Sequence, residues 1–249
     1  MKKRIIATLI AIIVLCAPIA FFGGFDFFRF GKNANAKLKI GAVGFACYDI
    51  AKNISSKYGD ISYLDQDNVA AFLDANPKGV IIVYLGNLVQ PQADYILKNA
   101  SQKDLTIFDL SERAYYFGNP PATNIWLDAG NMKIMSENYK RKIVERDTAH
   151  NQFYQRNFES YKKSLDEMDD HFHQALKPCS RGTILYPDDL GFNYLFKRYS
   201  LRSQQSDLAE PLNLDNMTSN EGRDLEKDDY LSVMNKNLSQ IKVILKCNE

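Results

Sequence analysis

The feature that most constrains the fold is the stretch from Thr123 to Leu176, which contains no glycine after Gly130 and no proline. A stretch of this length without helix breakers favours long helices. In its second half, apolar residues recur in steps of four and three, which places them on one helix face. These residues are Tyr154, Phe158, Tyr161, Leu165, Met168, Phe172 and Ala175. The pattern predicts a helix over about Thr148–Leu176, roughly 43 Å long and therefore able to span two lobes.

A shorter helix is predicted just before it, over about Asn131–Val144. One side of this helix carries Met132, Met135, Tyr139 and Ile143. Asp147 is then expected to be the N-cap of the second helix. The pair alone would also fit a helical hairpin or a coiled coil. The strand-like runs on both sides need helices to cover them, however, and this favours an α/β fold.

The flanking regions read as alternating strands and helices. Strands are predicted at Lys37–Gly44, Ile61–Leu64, Gly79–Leu85, Leu105–Leu110, Thr183–Tyr186, Arg202–Leu208 and Ile241–Leu245. Helices are predicted from Cys47 to a stop at Gly59, and at Val69–Leu73, Pro91–Ala100, Asp189–Tyr199 and Leu225–Leu238. The run GVIIVYL shows no alternation, as expected of a parallel strand covered on both faces. Glu210–Arg223 is polar and is expected to be a mobile surface loop.

The segment order between Asn124 and Leu201 is WLD, a helix, a second helix containing NQFYQRNFESYKKSLDEMD, a strand and the aromatic-rich YLFKRYSL. This order resembles the solute-binding proteins of zinc and manganese ABC importers. In that family a similar WLDP segment leads to a helix that forms a rigid backbone between two lobes. The resemblance implies an α/β fold with two Rossmann-like lobes of mostly parallel sheet, joined by one long backbone helix, with the second lobe truncated.

The expected organisation has four parts. Residues 1–36 form a signal or membrane anchor and a linker, and residues 37–123 form the N-terminal α/β lobe. Residues 124–177 form the connecting helices, and residues 178–249 form a short C-terminal α/β lobe.

The resemblance also implies a metal between the lobes, held by two histidines of the first lobe, a histidine or glutamate of the second, and a carboxylate near the C-terminus. In this chain the position before WLD is Asn124, and the position opening the second lobe's first helix is Asp189, with Asp188 beside it. The loop of the first histidine is deleted around Asp65–Asn68, and the last carboxylate falls in a missing C-terminal portion. Asn124, Asp188 and Asp189 are therefore weak metal candidates.

An oxygen-rich set of this kind suits manganese, magnesium or calcium better than zinc. The expected cofactor is at most a weakly bound divalent metal, manganese or zinc. Asp188 and Asp189 could instead simply cap the helix that follows Pro187. Trp126 could line the ligand cleft, but core packing against the long helix is the more common role of a tryptophan in such a segment.

The histidines and cysteines do not form a recognisable metal motif. All three histidines, His150, His171 and His173, are predicted on the long helix. His171 and His173 are two residues apart, so they point about 200° away from each other and cannot chelate one ion. The cysteines of the exported part are Cys47, Cys179 and Cys247, without CxxC spacing. Their odd number leaves one unpaired, and Cys47 could be reactive or, more simply, buried and structural.

The N-terminus and the charge balance indicate where the protein acts. Lys2, Lys3 and Arg4 precede 21 uncharged residues from Ile5 to Phe25, which predicts an export signal or, preferably, an uncleaved membrane anchor. The body would then lie on the periplasmic or extracellular face of the cell membrane. The net charge of +1 and the absence of a basic cluster argue against a nucleic-acid partner.

The sequence contains no GxSxG elbow, phosphate loop or dinucleotide-binding fingerprint, so no enzyme is predicted. The leading interpretation is an exported, membrane-associated solute-binding protein that delivers metal to an ABC permease, with an eroded metal site. The alternative is a non-catalytic exported module on the same scaffold that binds another ligand or a protein. A hydrolase remains open only because fold does not fix function.

Overall fold

The computed structural model describes residues 36–86, 95–96, 98, 104–118, 123–179, 182–186, 191–207, 209, 212–218 and 223–247. Residues from Lys37 onward form one compact unit. The predicted N-terminal anchor and nearly all of the predicted helix Pro91–Ala100 lie outside the described residues. Among the described residues, none of the helices has the length and apolar character needed to cross a membrane.

The first half of the chain forms a four-stranded sheet in which every pairing is parallel. Its strands are β1 (Leu38–Val43), β2 (Gly59–Leu64), β3 (Lys78–Tyr84) and β4 (Asp104–Asp109), in the order β2-β1-β3-β4. Helix α1 (Phe45–Ser55) follows β1, and helix α2 (Val69–Ala75) follows β2. The last five residues of β3 are buried, which confirms the prediction of a strand covered on both faces.

Two helices follow the sheet, α3 (Ala129–Arg146) and the long α4 (Asn151–Leu176). At 26 residues, α4 is roughly 39 Å long. The predicted stripe is buried from Tyr154 to Phe172, and only its last member, Ala175, is half-buried. The four apolar residues predicted on one side of α3 are all fully buried.

The start of α4 differs from the prediction. Thr148–His150 is a separate 3₁₀ turn, and Asp147 does not cap α4. Its carboxylate instead accepts a hydrogen bond from the Tyr154 hydroxyl at 2.6 Å and lies 2.7 Å from Nδ1 of His150. The predicted N-cap is therefore wrong, because the Asp147 carboxylate is hydrogen-bonded to the side chain of Tyr154 in the first turn of α4 and not to the backbone N–H groups at the helix start.

The second sheet has two parallel strands, β5 (Thr183–Tyr186) and β6 (Arg202–Gln205), joined through helix α5 (Asn193–Arg198). The last described helix, α6, runs from Tyr230 to Ile244. The predicted strand Ile241–Leu245 is wrong, because α6 continues through this segment. Its β-branched residues favour a strand locally, but Ile241 is buried at helical spacing from the buried Met234 and Leu238.

A single large core connects the elements from β1 to α6, and a smaller cluster with α2 covers the other face of the first sheet. A disulfide between Cys179 and Cys247, with their Cα atoms 4.9 Å apart, ties the end of α4 to the residues after α6. Cys47 is free and fully buried. Burial and the nearby Asp109 carboxylate raise the pKa of its thiol, so the reading of Cys47 as a structural cysteine is favoured over a reactive one.

Candidate functional site

The candidate site lies where β1 and β2 end, since ligands of open parallel sheets bind beyond the carboxyl ends of the strands. The chain leaves β1 through Gly44, whose φ of 78° is in the left-handed region, and enters α1 at the buried Phe45. This sharp turn brings the start of α1 to the sheet edge.

The chain leaves β2 through a short turn at Asp65–Asn68. The Asp65 carboxylate accepts hydrogen bonds from the backbone N–H groups of Asp67 and Asn68, both at 3.0 Å. The Asn68 side chain accepts from the Asp65 backbone N–H, also at 3.0 Å. These reciprocal bonds close a short turn that leads the chain directly into α2.

Asn124 is buried, with 3% of its surface exposed, and its φ of 59° lies in the left-handed region. Its Nδ2 donates to the Gly191 carbonyl oxygen at 3.2 Å. A Cβ atom at Gly191 would lie 2.2 Å from that nitrogen, so these two segments are in direct contact. Asp188 and Asp189 lie outside the described residues, and their roles as ligands or caps stay predictions.

Trp126 follows in a 3₁₀ turn and is 7% exposed, within the main core. Its Nε1 donates to the Asn216 carbonyl oxygen at 2.9 Å. The hydroxyl of Tyr230, the first residue of α6, donates to the Trp126 carbonyl oxygen at 2.8 Å. Trp126 is thus tied to two C-terminal segments, and its placement in a ligand cleft stays a prediction.

Sequence reasoning missed Arg223 and Asp215, which it assigned to a mobile surface loop. Arg223 Nη2 donates to both Asp215 carboxylate oxygens, at 2.9 and 2.8 Å, and its guanidinium lies 4.2 Å from the centre of the Phe45 ring. Only 7% of the Arg223 side chain is exposed, and Met217 is also buried. The prediction of a surface loop is therefore wrong for Arg223 and Met217, whereas the Asp215 side chain is 43% exposed. The only local signal was an arginine between acidic neighbours, which is common on solvated surfaces.

Beneath this edge lies a buried polar contact between three helices. Asp49 of α1 accepts hydrogen bonds from the Tyr161 hydroxyl of α4 and from the Tyr230 backbone N–H of α6. Burial raises the pKa of Asp49 to about 6, although both hydrogen bonds oppose the rise. The contact fixes α1, α4 and α6 to one another beneath the site.

A second buried carboxylate, Asp169 of α4, connects α4 to α3 and α5. Arg198 at the end of α5 donates to it from Nε at 3.1 Å and from Nη2, and Lys133 of α3 donates at 3.2 Å. Burial alone would raise the pKa of Asp169, but the hydrogen bonds and charges of Arg198 and Lys133 hold it below its usual value. Asp169 is thus ionised and joins three helices.

The histidines lie away from this edge. His150 stacks on Tyr58 with the ring centres 3.6 Å apart, and His171 and His173 are exposed in the second half of α4. In the described part of the chain, no three histidine, cysteine or carboxylate side chains come together as a metal site would require.

A separate cleft of about 390 Å³ opens beside the start of α3. It is lined by Tyr115, Asp128, Gly130, Asn131, Ile134, Lys197 and Arg198. Tyr115 is half exposed, and Lys197 donates to its hydroxyl at 2.8 Å and lies 4.4 Å from the centre of the Phe117 ring. The cleft therefore combines an exposed aromatic side chain with a basic one.

The fold is shared with three solved bacterial proteins, each about 84% covered on this chain and 99% on its own. The Zn(II)-bound ZnuA-like domain of AdcA from Streptococcus pneumoniae matches with a TM-score of 0.73 at 15% identity. The metal-dependent lipoprotein YcdH from Bacillus subtilis gives 0.71 at 16% identity. The laminin-binding protein Lbp from Streptococcus pyogenes gives 0.69 at 16% identity. These likenesses show a shared two-lobed α/β fold and confirm the predicted fold class.

A family profile described as "Zinc-uptake complex component A periplasmic" matches residues 48–211. The match spans more than half of the chain and includes both α4 and the WLD segment. The chain therefore belongs to the ZnuA family of metal-binding components of ABC importers, as the resemblance implied. Members of this family are substrate-binding proteins.

Proposed function

We propose that this protein is an exported, membrane-held member of the metal-importer binding proteins whose own metal site has eroded. The observation that carries the proposal is the contact of Asn124 with Gly191. The Asn124 amide nitrogen points at a backbone carbonyl, and the side chain offers a metal only a neutral oxygen in place of an imidazole.

The turn after β2 supports the same conclusion. In the family, the first histidine is carried by a loop at this point, whereas Asp65 and Asn68 close the turn on themselves. The Asp65 carboxylate is engaged by two backbone N–H groups, so binding a cation there would break the turn. Two of the family's four ligand positions are therefore occupied by structural contacts.

Export is supported by the Cys179–Cys247 disulfide, because disulfides persist in oxidising compartments outside the cytosol. The basic N-terminus and the uncharged run to Phe25 supply the signal and the proposed anchor. The proposed partner is the permease of an ABC importer. Fractionation of cells tests this part, and full-length protein recovered from the cytosol without detergent would contradict it.

Calorimetric titration of the unit from Lys37 onward with zinc, manganese and calcium tests the eroded site. We expect no tight zinc binding, and any residual affinity should favour manganese or calcium with a Kd of about 10⁻⁴ to 10⁻³ M, as in loosely built oxygen sites. An Asp189→Ala variant is the matched comparison. Submicromolar zinc binding that this substitution abolishes would refute the proposal and restore metal delivery as the function.

The alternative function is a non-catalytic exported module that binds another ligand or a protein on the same scaffold. The cleft beside α3 favours it, because Tyr115 is exposed there next to Lys197. A Tyr115→Ala and Lys197→Ala double variant that left cellular metal uptake unchanged but lost a bound ligand or partner would support this alternative.

A further inference from the structure

We propose that Arg223 is an internal cation that closes the edge of the first sheet in place of a transported metal ion. Its guanidinium is buried between the Phe45 ring, 4.2 Å away, and the Asp215 carboxylate, which accepts two hydrogen bonds from it. A guanidinium cannot lose its proton in a protein, so the positive charge at this place is permanent.

The position of the charge is fixed by the strand ends. Phe45 is the first residue of α1, directly after β1, and Tyr63 lies near the end of β2. Burial raises the pKa of Tyr63, the Asp65 carboxylate adds to the rise, and the Arg223 guanidinium opposes it. Arg223 is therefore close to the ends of both strands, where a ligand of such a sheet would bind.

Asp215, the partner of Arg223, belongs to a short segment that is held in place by other parts of the chain. We call this segment, Asp215–Met217, the strap. The backbone N–H and carbonyl of Asp215 bond to the buried Asn237 side chain of α6, both at 2.8 Å. The carbonyl of Asn216 accepts from Trp126, and Met217 is buried. The strap is thus tied to α6 and to the WLD turn, and Arg223 ties it to the start of α1.

The electrostatic consequence is exclusion of divalent cations. A metal ion entering this edge would have to displace the Arg223 guanidinium from the Asp215 carboxylate and break both hydrogen bonds between them. Asp215, the carboxylate that the strap holds at this edge, already pairs with Arg223. This inference rests on the proposed function, because it treats the sheet edge as a former metal-binding site. It goes further than the loss of metal ligands, because a side chain of the protein now closes the edge.

The test uses full-length protein and the fluorescence of Trp126, which is the only tryptophan and contacts the strap. In the Arg223→Ala variant, we expect red-shifted emission, stronger quenching by acrylamide and a lower Tm. Guanidinium ion, at concentrations far below the denaturing range, should restore the wild-type emission by filling the vacated place, and urea at the same concentration should not. Lys227→Ala is the control, because it removes an exposed positive charge that pairs with nearby Asp224.

Unchanged emission and quenching in Arg223→Ala, or equal effects of urea and guanidinium, would overturn the inference alone. If Arg223→Ala fails to fold, Asp215→Asn takes its place with the same emission and quenching measurements, because it keeps the side-chain volume and removes the charge partner. Submicromolar zinc binding by the wild-type protein would overturn the proposed function, and with it the replacement of the metal by Arg223.

Discussion

Asp49 should make the stability of this protein depend on pH between about 4 and 7. Its pKa is about 6 in the folded protein, against an ordinary value of 3.8. A carboxyl group with a raised folded-state pKa binds its proton more tightly when folded, so its stabilising effect is present at low pH and lost as the pH rises through 6. One pKa unit corresponds to about 1.4 kcal/mol, so the free energy of unfolding should fall by about 3 kcal/mol over this range.

The groups around Asp49 determine the size of this effect. The Tyr161 hydroxyl, the Tyr230 backbone N–H and the Asn53 side chain donate to its carboxylate and favour the ionised form. Burial and the charge of Asp229 oppose ionisation, while Lys52 assists it. Burial is the largest contribution, which is why the folded-state pKa is raised.

The assay is urea unfolding at several pH values, compared between the wild-type protein and Asp49→Asn. The amide is neutral at every pH, so the variant should become more stable relative to wild type by about 3 kcal/mol between pH 4 and pH 7. Asp170→Asn, on the exposed face of α4, controls for the general loss of a negative charge. Parallel pH profiles of wild type and Asp49→Asn would refute this account of Asp49.

Three further changes should lower stability by distinct mechanisms. Asp169→Ala removes the main partner of the partly buried Arg198, which keeps the more distant Asp128 carboxylate at 3.8 Å, and should cost about 2–3 kcal/mol in urea unfolding, whereas an effect below about 1 kcal/mol would show the pair to be solvated. Replacing both Cys179 and Cys247 with serine should cost about 2–5 kcal/mol, measured against the oxidised wild type, and reducing agent should then leave the variant unaffected. Gly191→Ala forces a side chain to a φ of 72° against Asn124 and should lower the Tm, whereas Gly79→Ala, at a similar φ with open space around it, should lower it less.

Local patterns in the sequence were sufficient for the helical frame and the first sheet. The buried face of α4 could be predicted from the spacing of its apolar residues, because that spacing depends only on helix geometry. The burial of β3 could be predicted from the composition of the run GVIIVYL. The proposed replacement of a family histidine by Asn124 was also readable, because the WLD segment that fixes its position is adjacent in sequence. Each of these predictions depends on residues that are close together in sequence and needs no knowledge of contacts between distant residues.

Only the tertiary structure decided the remaining features, because each depends on residues that are far apart in sequence. Ile241–Leu245 has the composition of a strand, but the main core packs against a continued helix there. The pairing of Cys179 with Cys247 required the ends of α4 and α6 to meet, since three cysteines allow several pairings. Arg223 looks like an ordinary surface arginine in sequence, and its burial against Phe45 arises because a segment about 180 residues further along the chain returns to the end of β1.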